Sequence, residues 1–144
     1  MNDIKDNRKL IILQGPPASG KTTWAREFVH KIFSESYIIV SRDTIRHSLG
    51  EYNMKHEKEV SRIEHEQMRE AMEKGINIII NDATNLNPKK IRKLEALSDE
   101  YGYEVVFKTF IIPIEEAIRR DKNEDREHHV GEQVIRQFYT RYSL

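Results

Sequence analysis

Cysteine is absent from the 144-residue chain, which excludes disulfides and thiolate metal sites and leaves a reducing cytosol permitted but not required. No apolar run approaches the roughly 20 residues that cross a bilayer, so no membrane partner is expected. The opening Met1-Asn2-Asp3-Ile4-Lys5-Asp6-Asn7-Arg8 lacks the apolar core of a secretion signal, and a cytoplasmic setting is the expectation. Net charge is missing too. With 24 basic against 24 acidic residues there is no global field for a polyanion, so any grip on nucleic acid must be local. The six histidines contain no His-x-x-x-His pair, and the adjacent His128 and His129 do not easily face one ion, which argues against a histidine metal site. Repeats, low-complexity tracts and interdomain linkers are lacking. At 38% hydrophobic and 33% charged residues, the expectation is one soluble domain over 1–144 with one core and no room for a second catalytic domain.

What is present is concentrated early. Gly15-Pro16-Pro17-Ala18-Ser19-Gly20-Lys21-Thr22 fits the phosphate-cradling pattern G-x-x-x-x-G-K-[S/T] without a gap. Leu10-Ile11-Ile12-Leu13 before it reads as a strand buried on both faces, and Thr23 to Val29 after it reads as helix. Strand, glycine loop and helix is the order needed to aim consecutive amides at a β-phosphate, with the positive end of the helix behind them. Gly15, Ala18, Ser19, Gly20, Lys21, Thr22 and Thr23 are therefore the expected phosphate contacts. Lys21 would neutralise β/γ oxygens of ATP, and the Thr22 hydroxyl would ligate Mg²⁺ directly. An ordinary Gly/Pro turn is the bland alternative.

Apolar runs alternate with helical stretches. The runs are Leu10 to Leu13, Tyr37 to Val40, Ile76 to Ile80 and Val105 to Ile112. Helices are predicted over Lys21–Phe33, Lys55–Lys74, Pro88–Tyr101, Pro113–Lys122 and Glu132–Tyr142, with Gly75 and Gly102 just past two helix ends. This predicts an α/β fold, an open doubly wound sheet of four parallel strands in order 2-3-1-4 flanked by helices. Ligands in such sheets bind beyond the carboxyl ends of the strands.

Three strand ends carry candidates. After the second comes Ser41-Arg42-Asp43-Thr44-Ile45-Arg46, in which Asp43 is placed to take a proton from an alcohol acceptor. Arg46, near the start of a short helix, lies on the same side, able to orient that carboxylate or bind an acceptor phosphate. Asp43 as a plain helix cap is the competing reading. After the third strand, Asp82 is placed to orient Mg²⁺ through water, and Thr84 and Asn85 to touch the acceptor; turn chemistry alone would also select these residues. The segment at about 119–131 reads as an arginine-bearing lid, with Arg126 over the transferring phosphoryl group and Arg119 or Arg120 on the adenine or α-phosphate. The cluster Lys89-Lys90-Ile91-Arg92-Lys93 is open to two readings, nucleic-acid phosphates or a solvated helix face. Trp24 reads as core.

Gly15 to Phe28, Ser41-Arg42-Asp43 with Arg46, and Thr84-Asn85-Leu86-Asn87-Pro88 together resemble the kinase domain of the bacteriophage polynucleotide 5′-hydroxyl kinases, from about Lys9 onward. The resemblance implies transfer of the ATP γ-phosphate to the 5′-OH of DNA or RNA. Lys21 and Thr22 would serve phosphates and metal, Asp43 the 5′-OH proton, Arg46 the acceptor's 3′-phosphate and Arg126 the transition-state charge. It also implies a homo-oligomer, a separate ligase or phosphatase alongside, and a host cytoplasm for a phage-encoded chain. Two departures stand out: the chain ends at Leu144 without the phage enzymes' phosphatase domain, and Ala83 separates Asp82 from Thr84 where the phage pattern sets the acid next to the threonine. The rival expectations keep the ATP half. One changes the acceptor to a nucleotide, a small alcohol or a hydroxymethylated base in phage DNA; the other is a nucleotide switch that phosphorylates nothing.

Overall fold

Alternate side chains of β1 (Lys9–Gln14) meet helices on opposite faces, and Leu10, Ile11, Ile12 and Leu13 are all buried. Leu10 and Ile12 enter a cluster with Val60, Met68 and Met72 of α3 (Met54–Glu73) and Leu94 and Leu97 of α4 (Pro88–Tyr101). Ile11 and Leu13 join Trp24, Ala25 and Phe28 of α1 (Lys21–Lys31) on the other side. The computed structural model describes residues 8–32, 35–50, 54–126 and 129–144.

The remaining strands are β2 (Tyr37–Ser41), β3 (Ile78–Asp82) and β4 (Glu104–Thr109). All pairings are parallel and the order is β2-β3-β1-β4, as the sequence predicts. The chain leaves β1 for β2 on one side and later returns to β4 on the other, so the loop after β1 opens where the winding reverses. The short α2 (Arg42–Ser48) follows β2 directly. Helices α5 (Ile114–Asp121) and α6 (Glu132–Arg141) share a small core of Ala117, Ile118, Ile135 and Tyr139.

Several boundaries differ from expectation for local reasons. β3 begins at Ile78, not Ile76, because Gly75 (φ 71°) closes α3 and the amides of Gly75 and Ile76 donate back to Met72 (3.0 Å) and Ala71 (3.1 Å). Ile76 is thereby turned onto the helix it follows and packs in that cluster. β4 stops at Thr109, not Ile112: the Phe110 amide donates to the Gln14 carbonyl at 2.7 Å, and Ile112 then leaves the sheet for the α5–α6 core. α1 ends at Lys31, and Phe33, its expected end, lies outside the described residues. Also outside them are Met1 to Asn7, Glu127 and His128.

Candidate active site

The loop after β1 needs glycine at its first position. Gly15 has φ 155°, and a Cβ there would lie 2.7 Å from the Phe110 carbonyl oxygen and 2.9 Å from Ser19 Oγ. Its amide donates to the Thr84 carbonyl at 3.0 Å, which ties the loop to the end of β3. At the far end Gly20 (φ 101°) occupies the cap position of α1 and offers no side-chain acceptor. The first amides of α1 therefore have no side-chain cap, an arrangement that suits an anion.

Lys21 is buried, and its ammonium donates to the carbonyls of Gly15 (3.0 Å) and Pro16 (2.7 Å). Burial pulls its pKa down to about 8, against the attraction of Asp82 and Asp43 and with the repulsion of Arg126. Two residues from the ends of β2 and β3 and one from the 119–131 segment thus act on one ammonium. Thr22 Oγ1 donates to Asp82 Oδ2 at 2.7 Å. Asp82 is the last residue of β3 and buried, and burial raises its pKa despite the Thr22 bond and Lys21. A threonine hydroxyl directed at a strand-end carboxylate beside a phosphate loop is a donor set that fits Mg²⁺; Thr22 could hold the ion, with Asp82 behind it.

The second strand end resolves the competing reading of Asp43. The cap of α2 is Ser41, whose Oγ accepts from the Thr44 amide at 3.2 Å, so Asp43 is left for other work. Its carboxylate, 56% exposed, accepts from Arg46 Nη1 at 2.5 Å. Arg46 lies within α2 and not at its start, because the helix begins at Arg42. Its Nε and Nη2 grip both oxygens of Glu57 at 2.7 and 2.9 Å. The Glu57 hydrogen bonds raise the Arg46 pKa, and the reciprocal bonds hold Glu57 below its ordinary value. Among the described residues, these bonds use three of the five guanidinium N–H groups of Arg46.

A buried polar network backs this arm. Glu64 is 4% exposed, with Oε1 accepting from Arg42 at 2.8 Å and Oε2 from Lys90 at 2.7 Å and Asn81 at 2.9 Å. Burial opposes its ionisation, but Lys90, Asn81 and Arg42 together outweigh that and lower its pKa. Lys90, expected in a surface cluster, is therefore taken inward. Asn85 needs the same correction. Expected on the acceptor, it is 2% exposed, and its amide nitrogen donates to the Leu13 carbonyl (2.7 Å) and Asn81 Oδ1 (3.0 Å). It clamps β1 to β3 and does not face the crevice. Thr84 beside it is half-buried.

In the arginine segment, Arg120 comes over the phosphate loop, its Nη1 3.8 Å from the position a Gly20 Cβ would take. Its Nε donates to Glu116 at 2.9 Å, and Arg119, largely exposed, pairs with the same carboxylate. Arg126 Nε stands 3.6 Å from buried Asp121. Asp121 also accepts from the amides of Val130 (2.7 Å) and Gly131 (2.8 Å), which staples both ends of the segment. Glu57, Glu64 and Asp121 went unrecognised in the sequence. The spacing of the first two from their partners offers no local signal, while acid at the end of α5 shortly before a helix-starting glycine was a usable hint for Asp121. Trp24, expected in the core, is half-buried at its margin, stacked on Phe28 with ring centroids 5.0 Å apart.

Fold and site together define a P-loop kinase-like, nucleotide-binding domain. Residues 10–144 match the AAA_33 family, described as an AAA domain, and the chain belongs to it. Over 99% of its length it superposes on a chain of the Pnkp1/Rnl/Hen1 RNA repair complex, with TM-score 0.79, 25% identity and 46% of that chain covered. A further structure of a Pnkp1/Rnl/Hen1 complex gives TM-score 0.71 and 27% identity over 89% of this chain and 44% of that one. In sequence it is 34% identical to human (Homo sapiens) NEDD4-binding protein 2 over 69% of this chain and 6% of that protein. It is 30% identical to the 2′,3′-cyclic-nucleotide 3′-phosphodiesterase of Pongo abelii over 72% of this chain and 24% of that enzyme. The chain thus spans less than half of each of these proteins.

Proposed function

We propose that this domain is an ATP-dependent polynucleotide 5′-hydroxyl kinase that moves the γ-phosphate of ATP to the 5′-OH of DNA or RNA with Mg²⁺. The observation that carries the reading is the pairing of Asp43, free of any capping duty, with an Arg46 fixed by Glu57, on the arm whose carboxylate acts on Lys21. A nucleotide switch has no need of such a base. The likeness to the RNA repair complexes supports a nucleic-acid acceptor over a small alcohol.

We assign the roles as follows. Gly15 to Thr23 cradle the phosphates, Lys21 neutralises β/γ oxygens, and Arg120 attends the nucleotide from above the loop. Thr22 would hold Mg²⁺ directly and Asp82 through water; when bound, the ion neutralises charge between the β- and γ-phosphates. Arg46 and Thr84 hold the acceptor. Asp43 takes the 5′-OH proton as that oxygen bonds to the γ-phosphorus and the β–γ bridging oxygen leaves with ADP. Arg126 stabilises the charge in passage. In the cell the product would serve a separate ligase, with a phosphatase acting on the other end; a cytoplasmic homo-oligomer belongs to the same reading.

Incubation with γ-labelled ATP and a panel of 5′-OH oligonucleotides, nucleosides and hydroxymethyluracil DNA tests it. Label at the 5′ end is expected. Label on a base or small alcohol, or free phosphate alone, overturns the acceptor assignment.

A further inference from the structure

Helix α4 carries its charges against its own dipole. Lys89, Arg92 and Lys93 crowd its first turns, its first turn holds no acid and its last turn no base. Cations near a helix N-terminus are electrostatically disfavoured. Helix α5 does the reverse, with Glu115 and Glu116 in the first turn and Arg119 and Arg120 in the last. The unfavourable placement in α4 is not offset by neighbours either: Lys89, Arg92 and Lys93 are exposed and have no ion pair or side-chain hydrogen bond among the described residues. At spacings of three and four residues they lie on one face.

That face is moored to the acceptor arm. Glu64 grips Lys90 of α4 at 2.7 Å and Arg42 of α2 at 2.8 Å, so one buried carboxylate joins the first turn of each helix. Lys89 neighbours Lys90, and Asp43 neighbours Arg42. The outward cations therefore begin beside the arm that carries the base, just after the Thr84 loop.

We infer that the first turns of α4 are a backbone track for the acceptor strand: Lys89, Arg92 and Lys93 bind phosphates of a single-stranded polynucleotide beyond its reacting 5′ end. The inference rests on the acceptor proposed above and extends it from an end to a strand. It supplies affinity without reading bases, since ammonium and guanidinium groups on phosphates carry no sequence information.

The test is equilibrium binding of a fluorescent 5′-OH oligothymidylate of about 20 nucleotides across roughly 50 to 300 mM salt, where log affinity falls with log salt by about 0.7 per phosphate contact. Lys89→Ala/Arg92→Ala/Lys93→Ala is expected to lower that slope by about 2, while Lys31→Ala/Lys58→Ala/Lys74→Ala, which removes equal charge elsewhere, leaves it unchanged. Thermal melting verifies that both variants fold. An equal slope for wild type and the α4 variant, an equal loss in both variants, or no binding by wild type overturns the inference. Transfer assays separate it from the kinase reading: the α4 variant should raise KM for the long oligonucleotide and not for a nucleoside 3′-monophosphate. Unchanged KM for both, with transfer intact, overturns the track alone; a changed salt slope without transfer to any 5′-OH overturns the kinase reading alone.

Discussion

Thr22 Oγ1 and Asp82 Oδ2 meet at 2.7 Å, joining the first turn of the phosphate-loop helix to the last residue of β3. The bond fixes where the hydroxyl can present a lone pair, and it keeps a buried carboxylate whose pKa is raised by burial close to Lys21. Asp82→Asn preserves shape and removes the buried charge. It is expected to hold or raise the thermal midpoint while increasing the Mg²⁺ needed for half-maximal transfer by about tenfold, the usual effect of losing a group behind a metal ligand. A Mg²⁺ titration checks this; an unchanged requirement removes Asp82 from the metal site.

Lys21 sets a pH dependence for nucleotide binding. With its pKa at about 8 against an ordinary 10.5, the free protein loses the ammonium proton above pH 8, whereas a bound anion would restore it. Binding then takes up a proton, so ATP affinity should fall by up to about tenfold per pH unit above 8. The linkage to stability has the opposite sign. Between about 8 and 10.5 the unfolded chain retains a proton the native state has released, so Lys21 makes stability rise with pH there. Calorimetric ATP titrations of wild type and Lys21→Met over pH 7 to 9.5 read the first effect, and the variant should show weak, pH-independent binding.

The sheet was legible because each of its strands lies in an apolar run, β1 leading into the phosphate loop and β3 and β4 following a helix-ending glycine, and β1 and β3 are buried throughout their middles. The chemistry of the loop was legible because consecutive residues carry it. The support behind it was not. Arg46 meets Glu57 eleven residues away, Asn81 meets Glu64 across two elements, and Asn85, at φ 51°, directs its amide to the Leu13 carbonyl of β1. Asn85 and Lys90 depart from expectation for one reason: a polar residue looks the same in sequence whether it faces a ligand, solvent or a buried partner. Exposed β4 positions such as Val106 and Phe107 gave the same apolar signal as buried ones.

Arg126 and Arg119 should separate in kinetics. Arg126 is held near buried Asp121 and acts on Lys21, whereas Arg119 is 70% exposed and tied to Glu116. Arg126→Ala is expected to lower kcat by about 10³-fold or more, and Arg119→Ala to change it little. Steady-state kinetics at saturating ATP decide, and equal mild losses would assign the charge clamp to another residue.

Glu64 holds two cations below the acceptor arm. Glu64→Gln takes the carboxylate from Lys90, 23% exposed, while Arg42 keeps Glu57 at 3.2 Å, and is expected to cost about 3 kcal/mol in urea denaturation. Its depressed pKa means the stabilisation is complete above the ordinary value of 4.5 and is lost as pH falls through the native value. The variant should lack that acid-side loss, and adding Lys90→Met should recover part of the stability. A wild-type stability profile that is flat below pH 4.5 would contradict the assignment.

Asp43 as the proton acceptor is the centre of the proposed chemistry, and paired measurements on Asp43→Asn test it most directly: single-turnover phosphate transfer to a 5′-OH oligonucleotide beside calorimetric ATP affinity. Transfer slower by about 10² to 10⁴ with ATP affinity nearly unchanged is the expected result. Transfer at the wild-type rate, or a collapse of ATP binding together with transfer, would contradict it.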